Sequence, residues 1–385
     1  MITLQTMRWL GAPAPGGLAL PAADASPTNL YAPRGVYLDQ QRLIAVDTGN
    51  HRVLIWQQLP VRDHQPADLV LGQPDFTHEG PRAAGRGPAN GFHVPTGVTV
   101  AEGRLYLADA WHHRVLCWHR FPERSDTPPD SVIGQANLLE IEPNRGGAVG
   151  PTTLYWPYGV AWIAGWFYIA DTGNRRVLGW RGLPEPNQPP DLILGQPDGW
   201  SNAENRGGPP TAHSFRWPHA LAGDGTTLYV ADAGNHRILG WTPPPTGDRP
   251  ANLVLGQTDM QSAFEQPHVP QGAHRLRFPY AVACTADRLC VADTANNRLL
   301  IWQPLPRHGA GLPAQAVFGQ TDFAGSGENR WQAIAPDTLC WPYGLCAHQQ
   351  WLAIADSGNN RIIIGQWADD WAKTMPSPGA GEVCK

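Results

Sequence analysis

A chain of 385 residues with 42% hydrophobic content exceeds the usual length of one domain and can bury a sizeable core. Its 42 glycines and 39 prolines demand many turns and leave little room for long helices, so the composition reads as all-β. The formal charge of −5, without a run of either sign, disfavours a non-specific polyanion binder, and no segment approaches the roughly 18 apolar residues of a spanning helix.

The chain starts Met1-Ile-Thr-Leu-Gln-Thr-Met-Arg-Trp-Leu10, which lacks a basic leader region and a sustained apolar stretch. The expected location is therefore cytoplasmic. Trp9-Leu-Gly-Ala-Pro13 follows, and then the first of six repeats. Within that repeat the pattern predicts four short strands, A to D: Gly35 to Leu38, Arg42 to Val46, Val53 to Gln57 and Leu69 to Leu71. The turn Asp47-Thr-Gly-Asn-His-Arg52 recurs as Asp109 to Arg114, Asp171 to Arg176, Asp232 to Arg237, Asp293 to Arg298 and Asp356 to Arg361, in steps of 62, 62, 61, 61 and 63 residues. Prolines before strand A keep the same rhythm: Pro33, Pro95, Pro157, Pro218, Pro279 and Pro342. Trp56, Trp118, Trp180, Trp241 and Trp302 recur on strand C, where large rings fill the widening space between blades. In the last repeat Gly365 holds that place and Trp367 is displaced.

A Gly-Gln pair closes strand D in only five repeats, at Gly72, Gly134, Gly195, Gly256 and Gly319, each 23 residues before the next landmark proline. Gly11 lies 22 residues before Pro33, so the segment at about 3–12 is expected to supply the missing outer strand and close the ring. The expectation is a six-bladed β-propeller over 1–367, four antiparallel strands per blade, with a C-terminal tail at 368–385 that carries Trp371, Pro376 and Pro378. Cys117, Cys284, Cys290, Cys340 and Cys346 fall in or beside strands and read as buried thiols, whereas Cys384 in the tail reads as exposed.

The Pro-x-Gly-Val start, the Leu-Tyr-x-Ala-Asp strand and the Asp-x-Gly-Asn-x-Arg-Val turn resemble NHL repeats from residue 3 to about 367, in a bacterial type with a long repeat. That resemblance implies an interaction module, and it suggests an accessory factor for a redox metalloenzyme such as a hydrogenase. It also brings in six-bladed relatives that are lactone hydrolases or metal-dependent lyases.

Strand direction places the B–C turns and D–A loops at one end of the propeller, which makes that end the candidate functional face. The turn Asp and Arg occur in every blade and read as framework: the carboxylate accepts N–H groups of its own turn, and Arg bridges to a neighbouring segment. The residue after the landmark proline varies instead: Arg34, Thr96, Tyr158, His219, Tyr280 and Tyr343. These six should surround one mouth of the central channel, either orienting a polar or anionic ligand or interlocking as a plug. Also variable is the position before the turn Arg: His51, His113, Arg175, His236, Asn297 and Asn360, whose imidazoles raise the question of a metal. His219 with His93, His213 or His274 is a second grouping; the turn imidazoles sit one per blade, on the first, second and fourth, and no metal or cofactor is assigned. Arg145, Arg206 and Arg330 sit in long Asn-Arg loops beside aromatics such as Trp200 and Trp331, either contacting a partner or packing the loop on itself.

The leading expectation is a rigid scaffold whose loop face engages a protein. The alternative is a hydrolase or lyase at the channel mouth, with His219 as acid or base, Tyr158, Tyr280 or Tyr343 as proton donor, and Arg34 as anchor of an anionic substrate. Single-stranded RNA recognition stands behind both, disfavoured by the acidic charge and by having only Lys373 and Lys385 as lysines.

Overall fold

A computed structural model describes residues 2–11, 24–265 and 268–368. Six four-stranded antiparallel sheets stand in a ring, one for each sequence repeat. In the first blade the strands are Gly35–Leu38, Leu43–Asp47, Arg52–Trp56 and Leu69–Leu71. The second and third begin or end one residue from expectation, because Asp47 and Arg52 themselves pair across the turn and belong to the ladder. The fourth blade also gains a short fifth strand, Gly309–Ala310, running parallel to its outer strand Leu253–Leu255.

Closure is as the repeat count requires. Leu4–Gly11 pairs antiparallel with Arg361–Trp367, the third strand of the last blade, from Leu4 opposite Trp367 to Gly11 opposite Arg361. Gly11 has a φ of 109°, and a Cβ there would lie 2.3 Å from the Asn360 carbonyl oxygen, so the end of this strand admits only glycine. Leu4 fills the space left by Gly365, whose own Cβ would come within 2.8 Å of the leucine, and Trp367 is buried beside it. The tail residues 369–385, with Trp371, Pro376, Pro378 and Cys384, lie outside the described residues.

The core is shared out between blades. Each hydrophobic cluster joins two neighbouring sheets, as where Leu10 and Ile362 of the last blade meet Leu43 and Trp56 of the first, and Val53 and Leu71 of the first meet Leu105 and Leu116 of the second. The five recurring third-strand tryptophans are almost wholly buried, and each of their indoles donates to a carbonyl in its own C–D connection, Trp56 to Gln65 and Trp302 to Leu312 among them. A ring of this kind leaves only short, protected sheet edges, because the faces of each sheet are buried on its neighbours. Among the cysteines Cys117, Cys290 and Cys340 are buried, whereas Cys284 and Cys346 are half-buried and line the far end of the channel, departing from the expectation that all five are fully buried.

Candidate functional site at the channel mouth

The turn between the second and third strands is held by a side-chain clamp. Asp171, fully buried, accepts from the Arg176 guanidinium at 2.8 Å and from the Asn174 amide at 2.8 Å. Its other oxygen accepts the backbone N–H of Tyr155, in the segment leading into the inner strand, rather than an N–H of its own turn as expected. The arrangement repeats in all six blades, from Tyr31 N–H on Asp47 to Cys340 N–H on Asp356, with His112 in place of the asparagine in the second blade. Arg176 then donates to the carbonyls of Gly150, Thr153 and Gly199, so that one guanidinium ties two successive D–A loops to one blade. These charges are consumed by the framework.

The position before the turn Arg links one blade to the next. His51 and His113, each in the left-handed region, accept through Nδ1 the backbone N–H of Val94 and Trp156 in the following blade. His236 does the same for Phe278, Asn297 for Trp341, and Asn360 for Ala32 across the closure. The residues so held carry φ values from 45° to 53°, a strained region for bulky side chains that the latch supports. Arg175 has no acceptor, and its target Trp217 is absent from the left-handed set. Burial lowers His51 and His113 to about 4 and also lowers His236, which keeps the rings neutral and able to accept. The metal reading of these imidazoles thus meets a different role, and among the described residues no cluster of metal-ligating side chains forms.

The six residues after the landmark prolines do converge, around a cavity of about 80 Å³ at the axis. Thr96 is buried and donates to the Tyr158 carbonyl at 2.8 Å. His219 lies between Tyr158 and Tyr280, at ring separations of 4.3 and 4.4 Å. Tyr280 stacks on Tyr343 at 4.8 Å, and the Arg34 guanidinium lies 4.8 Å over the Tyr343 ring. His219 Nδ1 meets the Trp217 carbonyl at 2.9 Å; a carbonyl only accepts, so Nδ1 carries the proton and Nε2 is left an acceptor. Burial takes this imidazole down to about 3, so it is neutral at physiological pH. Burial likewise raises Tyr280 to about 12 and pushes Tyr158 and Tyr343 upward, which keeps the phenols protonated.

A second ring lies above the first. Trp156, Trp217, Phe278 and Trp341 occupy the position before the proline: Trp217 stacks on Phe278 at 6.3 Å, Phe278 on Tyr280 at 6.4 Å and Trp341 on Tyr343 at 6.5 Å, whereas Trp156 meets Tyr158 and His219 edge-on. The sequence shows this position as a mostly large apolar landmark but not as part of a site; its recurrence beside the variable position was the available signal.

The remaining candidates lie apart from the mouth. Arg145 donates to the carbonyls of Gly134 and Thr152 and to the Asn187 side chain. Arg206 reaches Gly195 and Asp248, and Arg330 reaches Gly319 and Asp337, so all three fold their own loops back onto the Gly-Gln segment. His93 packs against His51 and His112, and His213 against Asp248, and neither ring is in contact with His219. At and beyond the mouth, large apolar side chains stand exposed on the same face: Tyr31, Trp111, Leu139, Tyr155, Trp200, Phe264, Trp331 and Trp341. All eight are on B–C turns or D–A loops, and the ninth exposed large hydrophobic residue described, Val61, is on a C–D connection.

Fold and repeat together define a six-bladed β-propeller whose repeats are similar to NHL repeats. The NHL repeat family model matches residues 92–118, which run from the D–A loop through the third strand of the second blade. NHL repeat-containing protein 2 of Homo sapiens is 24% identical over 94% of this chain, and that of Bos taurus is 24% identical over 90%. The chain spans about half the length of these curated relatives, 50% and 48%. Among solved structures, a chain of Kuenenia stuttgartiensis hydrazine synthase superposes with a TM-score of 0.50 at 12% identity, covering 89% of this chain and 97% of its own, a likeness of fold. Among the described residues no helix is long and apolar enough to cross a membrane.

Proposed function

We propose that this propeller is a cytoplasmic, rigid binding scaffold whose loop-rich face docks a protein partner. The observation that carries the reading is the one-sided distribution of exposed aromatic and aliphatic side chains, with Trp200 at 70% and Trp331 at 81% exposure on D–A loops. Exposed large aromatics are the residues that supply most of the energy of a protein interface, and a soluble chain without a partner gains nothing from leaving them in water. The clamps and latches beneath give that face a fixed shape, which lowers the entropic cost of docking. An accessory role toward a redox metalloenzyme such as a hydrogenase is the finer form of this reading, and it is the partner's identity that decides it.

The test is affinity capture at native expression after light crosslinking, with wild type, Trp200→Ala/Trp331→Ala and Val61→Asp compared. A stoichiometric partner should be recovered by wild type and Val61→Asp and lost by the double tryptophan variant at unchanged thermal stability. Recovery of no stoichiometric partner, or equal recovery by all three, would count against the scaffold.

A further inference from the structure

We propose that the channel mouth is an oxyanion site, built to take one carboxylate or a group of similar size and charge against Arg34, Tyr158, Tyr280 and Tyr343. Arg34 is half-buried at the mouth, yet among the described residues no carboxylate pairs with it; its neighbours there are neutral phenols. Every clamp arginine in the same protein has its aspartate at 2.7 to 2.9 Å, so an unpaired guanidinium facing the axis is the exception. A partly desolvated cation without a counter-charge is unfavourable, and an anion entering the mouth relieves that cost.

The second observation is independent. The Tyr158 hydroxyl is buried and finds no protein partner of good hydrogen-bond geometry, although Arg34 approaches it. A buried O–H without an acceptor is a donor waiting for one. Tyr158, Tyr343 and Tyr280 all lie within electrostatic reach of Arg34 and all remain protonated, so the site presents a guanidinium and up to three hydroxyl donors around one space. His219 Nε2 is the acceptor among them, which suits a hydroxyl carried next to the anionic group. The cavity at the axis is small, about 80 Å³. It suits the charged end group of a ligand. The stacked upper ring forms an apolar collar through which the rest of the ligand would pass.

Two sources share this chemistry, a free small carboxylate and the acidic side chain or chain end of a docked polypeptide. The proposal does not depend on the scaffold reading, because the exposed tryptophans and Arg34 are separate residues and fail separately. Acetate, inorganic phosphate, and a short peptide with a free C-terminal carboxylate or the same peptide amidated would be titrated into the intact chain. Tryptophan fluorescence, which Trp156 and Trp341 report at the collar, and melting temperature are the readouts.

Wild type should bind at least one anion saturably, with affinity reduced tenfold or more in Arg34→Met and several-fold in Tyr158→Phe. Exposed Arg62→Gln should match wild type. Tyr158→Phe deletes a hydroxyl whose one close polar neighbour is Arg34, so it should fold even if Arg34→Met does not. Acetate binding equal to that of the peptide assigns the site to free anions; stronger binding of the free-acid peptide and none of the amide assigns it to a polypeptide group. Absence of any saturable anion response in wild type, or an equal response in both variants, overturns the proposal and leaves the mouth as a plug.

Discussion

Replacing Arg176 with Met removes one clamp while keeping the volume of the stem. Its Nε lies 2.8 Å from Asp171, and its two terminal nitrogens satisfy the carbonyls of Gly199, Gly150 and Thr153 at 2.8 to 2.9 Å. Both charges are fully buried, so the variant leaves a carboxylate out of water without its cation. Breaking a buried pair from one side costs about 3–5 kcal/mol, a large share of the about 5–15 kcal/mol by which domains are stable. Urea unfolding followed by circular dichroism should show the midpoint falling by that amount, and amide exchange should accelerate first in loops 150–153 and 199–200, which lose their tether. Adding Asp171→Asn to the variant removes the stranded charge and keeps an acceptor for Tyr155 or Asn174, so it should recover about 1–2 kcal/mol, within the usual range of coupling between touching residues. A loss below about 1 kcal/mol in the single variant, or a further loss on adding the asparagine, would refute the view that this ion pair holds the loops to the blade.

The imidazole latches predict acid sensitivity. Burial sets His51 and His113 at about 4, below their ordinary 6.5, so between those values the unfolded chain takes up protons that the folded chain refuses. Stability is therefore complete above about pH 6.5 and declines as pH falls toward 4, by at most about 1.4 kcal/mol per pH unit for each ring and less for a partly exposed one. Asparagine already serves this position in the fifth and sixth blades, so the triple substitution His51→Asn, His113→Asn, His236→Asn should flatten the decline between pH 6.5 and 4.5 in urea midpoints; an unchanged slope would show that the rings titrate normally. Restoring the repeat consensus with Gly365→Trp should destabilise by about 1–3 kcal/mol or prevent closure, since Leu4 occupies that space, and a rise in melting temperature would contradict the packing at the seam.

Much of this protein is written in its sequence because the information is local and repeated six times. Spacing alone located every blade, and the missing sixth Gly-Gln pointed to the strand Leu4–Gly11, since a propeller short of one outer strand must recruit it from the other end of the chain. The clamp Asp and Arg were legible as framework by the same logic of repetition, although the origin of the N–H on the carboxylate was not, because it comes from a segment 16 residues upstream. Only the tertiary structure decided how neighbouring blades meet. His51 and Val94 are 43 residues apart, and nothing in either segment announces that a ring nitrogen will hold a strained backbone N–H in the next sheet. The channel mouth lies between these cases: periodicity placed Arg34, Thr96, Tyr158, His219, Tyr280 and Tyr343 on one ring, but which of them stack, which are spent on backbone and which keep a free donor depends on distances across the axis between residues far apart in the chain.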